Sequence, residues 1–139
     1  MDKTPLILIV DDDPDDIFLL SNALMSKDPS IKIVEAYDGE AALALLEDMI
    51  ESVELPNLII VDINMPVMDG REFLSIIKNK PETKNIRSVM YTTSVNLFDK
   101  VHCQSLNTEL IVKPSSTDKL NKLAFKLYSW AKEGEESKI

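Results

Sequence analysis

The chain has 139 residues, 45% of them hydrophobic, and its 24 acidic against 15 basic side chains leave a formal net charge of −9. That length accommodates one domain whose core needs no disulfide or structural metal, while the lone cysteine, Cys103, excludes an internal bridge and suits a reducing cytoplasm. The negative balance disfavours direct nucleic-acid contact and binding to an anionic membrane surface, which leaves proteins or cations as the expected partners.

The first element is the apolar run "LILIV" at 6–10. It is strand length, and too short for a signal-peptide core or a membrane span, so no membrane insertion and a cytoplasmic location are expected. It runs straight into "DDDPDD" at 11–16. Carboxylates crowded in this way repel by roughly 3 kcal/mol per pair at about 5 Å and an effective dielectric near 20, so water, a cation or a function must offset them. A helix follows with Ile17, Leu20 and Leu24 on one face. Asp13, Asp15 and Asp16 read as its solvated first turn, favoured by the helix dipole, with Pro14 at N1.

"IKIVEA" at 31–36 alternates like an edge strand and ends in turn residues Tyr37, Asp38 and Gly39 before a helix marked by Ala42, Leu45, Leu46 and Met49. "LIIV" at 58–61 is continuously apolar, like a buried central strand, and is followed by Asp62. Asp69 and Gly70 read as turn and helix-start chemistry, and Phe73, Ile76 and Ile77 mark the third helix. "VMY" at 89–91 ends in Thr92 and Thr93. The segment 96–106 behind it is the weakest helix, with only Leu97, Phe98, Val101 and Leu106 among polar residues, and its His102 reads as an exposed residue without a chemical duty. "LIV" at 110–112 ends in Lys113 and Pro114 and leads to a helix carrying Leu120, Leu123, Ala124 and Leu127. Phe98 and Trp130 read as packing residues. "KEGEESKI", from Lys132, reads as a disordered tail, so residues 1–131 form the expected domain and 132–139 its tail, with no linker to a second domain.

Alternating strands and helices predict right-handed parallel crossovers and a sheet covered on both faces. The fold class is α/β: a flavodoxin-like (βα)5 three-layer sandwich, its parallel five-stranded sheet in order 2-1-3-4-5. In such a sheet the site lies at the carboxyl ends of the strands, near the switch point between strands 1 and 3. The residues ending those strands are Asp11, Asp12 and Asp13, then Asp62, then Thr92 and Thr93, then Lys113. An oxygen-rich pocket of this kind suits a hard divalent cation such as Mg²⁺, and a lysine opposite it would offset further negative charge. The set fits phosphoryl transfer to a carboxylate nucleophile.

"ILIVDD", "LIIVDINMPVMDG", "VMYTTS" and "IVKP", in this order, resemble the receiver domain of two-component response regulators over nearly the whole chain, from about Leu6 to Trp130. "VDINMPVMDG" is the most specific piece. The resemblance implies that Asp62 is the phosphoacceptor, served by a sensor histidine kinase or a histidine phosphotransfer protein. It implies that Asp12 directly, Asp11 through water, Asp62 and the backbone carbonyl of Asn64 hold Mg²⁺, that the Thr92 hydroxyl and the Lys113 amine bind the phosphoryl group, and that the Lys113–Pro114 bond is cis, as it often is in the family. Function would then be that of a stand-alone response regulator, a phosphoacceptor rather than a turnover enzyme. It would signal to an unidentified downstream protein through the helix 4, strand 5, helix 5 face.

Four positions depart from the commoner family pattern. Leu110 stands where an aromatic switch is usual, Thr93 where a small residue is usual and where its bulk would narrow access to Asp62, Ser94 where dephosphorylation is often tuned, and Leu106 or Asn107 where glycine commonly ends helix 4. Three other readings compete: a phosphatase of the haloacid dehalogenase type using Asp11 and Asp13 as a D-x-D pair, a flavodoxin-like FMN carrier, and a receiver used as an unphosphorylated scaffold. "DDDPDD" would repel the FMN phosphate, and the phosphatase reading leaves "DINMPVMDG" without a use.

Overall fold

The computed structural model describes residues 4–136, with side chains through Gly134. Strands and helices alternate as β1 (Leu6–Val10), α1 (Pro14–Met25), β2 (Lys32–Ala36), α2 (Gly39–Glu51), β3 (Leu58–Val61), α3 (Gly70–Lys78), β4 (Arg87–Thr92), α4 (Leu97–Ser105), β5 (Glu109–Val112) and α5 (Thr117–Glu136). All pairings are parallel, in the order β2-β1-β3-β4-β5 expected from the sequence. Every residue of β1 and β3 is buried, whereas β2 and β5 keep exposed positions as edge strands do.

Side chains alternate across the sheet and build two cores. Ile7, Ile9, Leu58, Ile60 and Val89 pack against α1 and α5 through Ile17, Leu20, Leu24, Ala124 and Leu127. Leu8, Val10, Ile59, Val61 and Met90 point the other way, to Ala42 and Leu46 of α2, Phe73, Leu74 and Ile77 of α3 and Cys103 of α4. In α3 the inner face is carried by Phe73, Leu74 and Ile77, and Ile76 is partly turned to solvent. Among the described residues no helix is long and apolar enough to cross a membrane.

The expected tail and one expected packing residue are corrected. Lys132 does not begin a tail: α5 continues through Glu136, anchored by the fully buried Ala131, and residues 137–139 lie outside the described ones. The polar composition of "KEGEE" hid this because only one residue per turn needs to face the sheet. Phe98 does not pack into either core; it is 69% exposed. Trp130 does, half-buried against the α1–α5 core with the Arg87 guanidinium 4.0 Å above its ring.

The weak helix exists, and its ends explain how. Asn96 caps α4 by accepting from the Asp99 N–H, and Asn107 takes the left-handed conformation (φ 52°) in place of glycine. The Asn107 and Thr108 N–H groups then bond the carbonyls of Gln104 and Cys103 at 3.2 and 2.9 Å, closing the helix. Of the whole helix only Asp99 and Cys103 are buried. His102 is half-buried rather than exposed, its ring stacked on Phe98 and its Nε2 atom enclosed.

Candidate functional site

Five loops leave the sheet at its carboxyl end, and after β1, β3 and β5 backbone bonds carry the strand ladder one residue further. The Asp11 N–H donates to the Ala36 carbonyl at 3.0 Å, that of Asp62 to Val10 at 2.9 Å and that of Lys113 to Thr92 at 2.6 Å. These bonds fix where three side chains begin, and the side chains converge. The Lys113 Nζ lies 2.9 Å from Asp11 Oδ2 and 3.6 Å from Asp62 Oδ2. Asp11 and Asp62 are buried, while Asp12 is exposed beside them.

One carboxylate joins this group unexpectedly. Asp16 Oδ2 is 2.7 Å from Lys113 Nζ, the shortest of the lysine's three acidic contacts. The first turn of α1 is therefore not uniformly solvated. Asp13 does behave as expected, capping α1 by accepting from the Asp15 N–H at 2.9 Å, so Asp11 and Asp13 do not form an inward D-x-D pair. The signal that marks Asp16 is helical spacing: it precedes the buried Leu20 by four residues and adjoins the buried Ile17, which places it on the inner stripe of α1.

Electrostatics follow from this crowding. Burial first, and Asp11 second, push the Asp62 carboxyl up to about 6, with Lys113 opposing them. Burial also raises Asp11, against the lowering effect of its hydrogen bonds with Lys113 and with the Asp13 N–H. For Lys113 burial alone would favour loss of the proton, yet the bonds to Asp16 and Asp11 outweigh it and hold the amine above its ordinary range. The carboxylates thus carry more negative charge than one lysine offsets. Ligand oxygens from Asp11, Asp12 and Asp62 lie within 4.8 Å of one another, so the donor set fits a hard divalent cation.

The loop after β3 is built around Asp62. A backbone N–H from Asn64 donates to its carboxylate. The Gly70 N–H donates to the Ile63 carbonyl at 2.7 Å, and a Cβ at Gly70 would lie 2.1 Å from the Asp62 carbonyl oxygen, so only glycine lets α3 begin against the site. Asp69 caps α3 through the Glu72 N–H at 3.0 Å. Between them Val67 adopts φ 68° in a tight turn closed by a 2.8 Å bond from the Met68 N–H to the Pro66 carbonyl.

The remaining expected residues are placed less directly. Thr92 is buried at the end of β4, with its hydroxyl donating to the Ser94 carbonyl at 3.1 Å rather than reaching Asp62. Thr93 is exposed at the mouth of the same loop. Pro114 follows Lys113 in the trans form, since no peptide bond among the described residues is cis; trans is the ordinary preference of an X–Pro bond by about 0.5–1 kcal/mol, and Lys113 reaches the site with it. Leu110 packs half-buried against the α2–α3 core. A link absent from the sequence reading joins α3 to α4: Arg71 donates through Nη2 to Asp99 at 2.9 Å and through Nε to its other oxygen.

Comparison with known proteins agrees with this geometry. Residues 7–125 match the response regulator receiver domain family. The chain is 35% identical over 112 residues to the response regulator Rcp1 of Synechocystis sp., an alignment covering 79% of this chain and 76% of Rcp1. The phosphorylated cyanobacterial phytochrome response regulator RcpA matches with a TM-score of 0.84 at 30% identity, over 93% of this chain and 94% of RcpA. The Mn²⁺-bound form of Rcp1 matches with a TM-score of 0.79 at 32% identity, over 91% of this chain and 94% of the other. From the match over residues 7–125 and a parallel sheet that brings acids and a lysine to one rim, the chain belongs to the response regulator receiver domain family of two-component systems.

Proposed function

We propose that this chain is a Mg²⁺-dependent phosphoacceptor switch, with Asp62 taking a phosphoryl group from a histidine kinase or a phosphotransfer protein in the cytoplasm. The observation that carries the reading is the meeting of Asp62, Asp11 and Lys113 at the strand ends, with Lys113 Nζ 2.9 Å from Asp11 and 3.6 Å from Asp62. An Asp62 carboxylate oxygen attacks phosphorus, the phosphorus–nitrogen bond of the donor phosphohistidine breaks, and its electron pair returns to the imidazole, which then takes a proton. Asp11, Asp12 and Asp62, with the Asn64 carbonyl, would hold Mg²⁺, which when bound offsets charge on the phosphoryl oxygens. Lys113 offsets the rest from the opposite side. The metal-bound form of Rcp1 and the phosphorylated form of RcpA support both halves of this reading by similarity.

The new group carries roughly −1.5 to −2 charge and three strong acceptors. Thr92, free to exchange its Ser94 carbonyl for a phosphoryl oxygen, turns inward, and Thr93 at the mouth limits access. The helix that responds is α4, which buries only Asp99 and Cys103 and is therefore cheap to shift. The output surface is the α4, β5, α5 face, where Leu97, Val101, Val112 and Phe125 are exposed.

Incubation with Mg²⁺ and acetyl phosphate, read by intact mass, tests the reading. One added phosphoryl group, labile to hydroxylamine and absent from Asp62→Ala, supports it; an unmodified chain, with the small donor and with a kinase, overturns it. Faster modification of Thr93→Ala would bear out the access role of Thr93, and an unchanged rate would remove it.

A further inference from the structure

We propose that Asp16 is a positioning residue for Lys113, the acceptor that keeps the ammonium in place when Asp11 turns to a cation; this rests on the phosphoacceptor reading above. Lys113 has three N–H donors. In the structure its ammonium makes its shortest contact, 2.7 Å, with Asp16 Oδ2, its second, 2.9 Å, with Asp11 Oδ2, and faces Asp62 Oδ2 at 3.6 Å. These three acids do not have equal freedom. Asp11 and Asp62, with Asp12, form the group whose ligand atoms lie within 4.8 Å of one another, and Asp16 is not among them. Any divalent cation held there draws on Asp11, the lysine's second partner.

Asp16 is the partner that remains. It sits in the first turn of α1, a helix fixed to the sheet by the fully buried Ile17, Leu20 and Leu24, so its carboxylate is presented from a rigid element. Its backbone lies outside β1 and its side chain has no other hydrogen bond among the described residues. A carboxylate in that place holds the Lys113 ammonium near Asp62 without sharing the cation's ligands. Without it the ammonium would be left with Asp11 and Asp62, both members of the cation's ligand group, and the lysine and the cation would compete for the same carboxylates. A bland alternative exists: Asp16 is an acid in a helix first turn, favoured there by the dipole as Asp15 is. That alternative makes Asp15 and Asp16 equivalent, whereas positioning makes them different.

The test is Mg²⁺ titration of the full chain by calorimetry, comparing wild type, Asp15→Asn, Asp16→Asn, Lys113→Ala and the Asp16→Asn/Lys113→Ala double variant. Positioning predicts that Asp16→Asn weakens Mg²⁺ binding by about three- to tenfold and Asp15→Asn by less than about twofold, and that the Asp16 effect shrinks below about twofold once Lys113 is gone. Equal losses for Asp15→Asn and Asp16→Asn, or the same Asp16 loss in both Lys113 backgrounds, would overturn the proposal. Should Lys113→Ala not fold, the comparison of Asp15 with Asp16 decides alone. Acetyl phosphate modification of wild type separates the two failures: a phosphoryl group on Asp62 with equal Asp15 and Asp16 losses removes only the Asp16 role, and no phosphoryl group despite unequal losses removes only the phosphoacceptor reading.

Discussion

Replacing Asp62 with asparagine is expected to stabilise the protein in EDTA at pH 8 and to lose most of that advantage in acid. The Asp62 carboxyl is pushed up to about 6 from 3.8, by burial first and by Asp11 second. The native state therefore binds this proton more tightly than the unfolded chain does. Stability consequently falls as pH rises from about 4 to about 6, and the full penalty stands above that window. Two pKa units correspond to about 3 kcal/mol at pH 8, and the same two values leave about 1 kcal/mol at pH 4.5. The stability gap between Asp62→Asn and wild type should thus shrink by about 2 kcal/mol between pH 8 and pH 4.5. Urea unfolding at the two pH values measures it, and melting should show the pH 8 gap as a rise of several degrees, at about 3 °C per kcal/mol for a chain of this size. Saturating Mg²⁺ should narrow the gap further, because a ligand of the native state stabilises the protein that binds it better. A variant less stable than wild type at pH 8, or a gap that ignores pH, would refute the charge argument.

Three further substitutions probe how the site is held. Gly70→Ala places a methyl group 2.1 Å from the Asp62 carbonyl, so it should cost about 3 kcal/mol in urea unfolding and abolish acetyl phosphate modification. Arg71→Met leaves Asp99, only 2% exposed, without its cation, and a loss of about 3 kcal/mol with faster amide exchange in α4 is expected; unchanged exchange would show that the pair does not hold the helix. Val67 is 80% exposed yet carries φ 68°, so Val67→Gly sacrifices no packing and should gain about 1 kcal/mol of stability.

Fold and strand order were legible because burial writes itself differently on each strand. β1 and β3 are flanked by strands and covered by helices on both faces, so every position selects an apolar side chain, while β2, at the edge, admits Lys32 and Glu35 to solvent. What composition concealed was the reach of α5, where one buried residue, Ala131, suffices to continue a helix through polar sequence. Phe98 failed as a core residue for the complementary reason: hydrophobicity indicates what a side chain prefers, and this one lies on the outward face of α4, stacked on His102. The charge pair of Arg71 with Asp99 does there what apolar contacts do in the other helices, and nothing in the spacing of two residues in different elements announces it.

The acidic cluster at 11–16 shows where residue type stops being informative and backbone geometry takes over. Five chemically identical side chains divide according to the element that carries each one. Asp11 continues the ladder of β1 and is drawn inward beside Lys113. Asp12 alternates to the open side of the same rim, within reach of a shared cation. Asp13, at the break between strand and helix, turns back on the Asp15 N–H and is consumed as a cap. From Pro14 onward the period changes from two to about 3.6. That change sends Asp15 outward and returns Asp16 to the inner stripe, one position before Ile17 and 2.7 Å from Lys113. Continuing the strand's period of two past the proline would turn Asp15 inward and Asp16 outward. Switching period at the proline assigns them the other way round, and the same rule distinguishes site acids from helix-start acids wherever a buried strand passes directly into a helix.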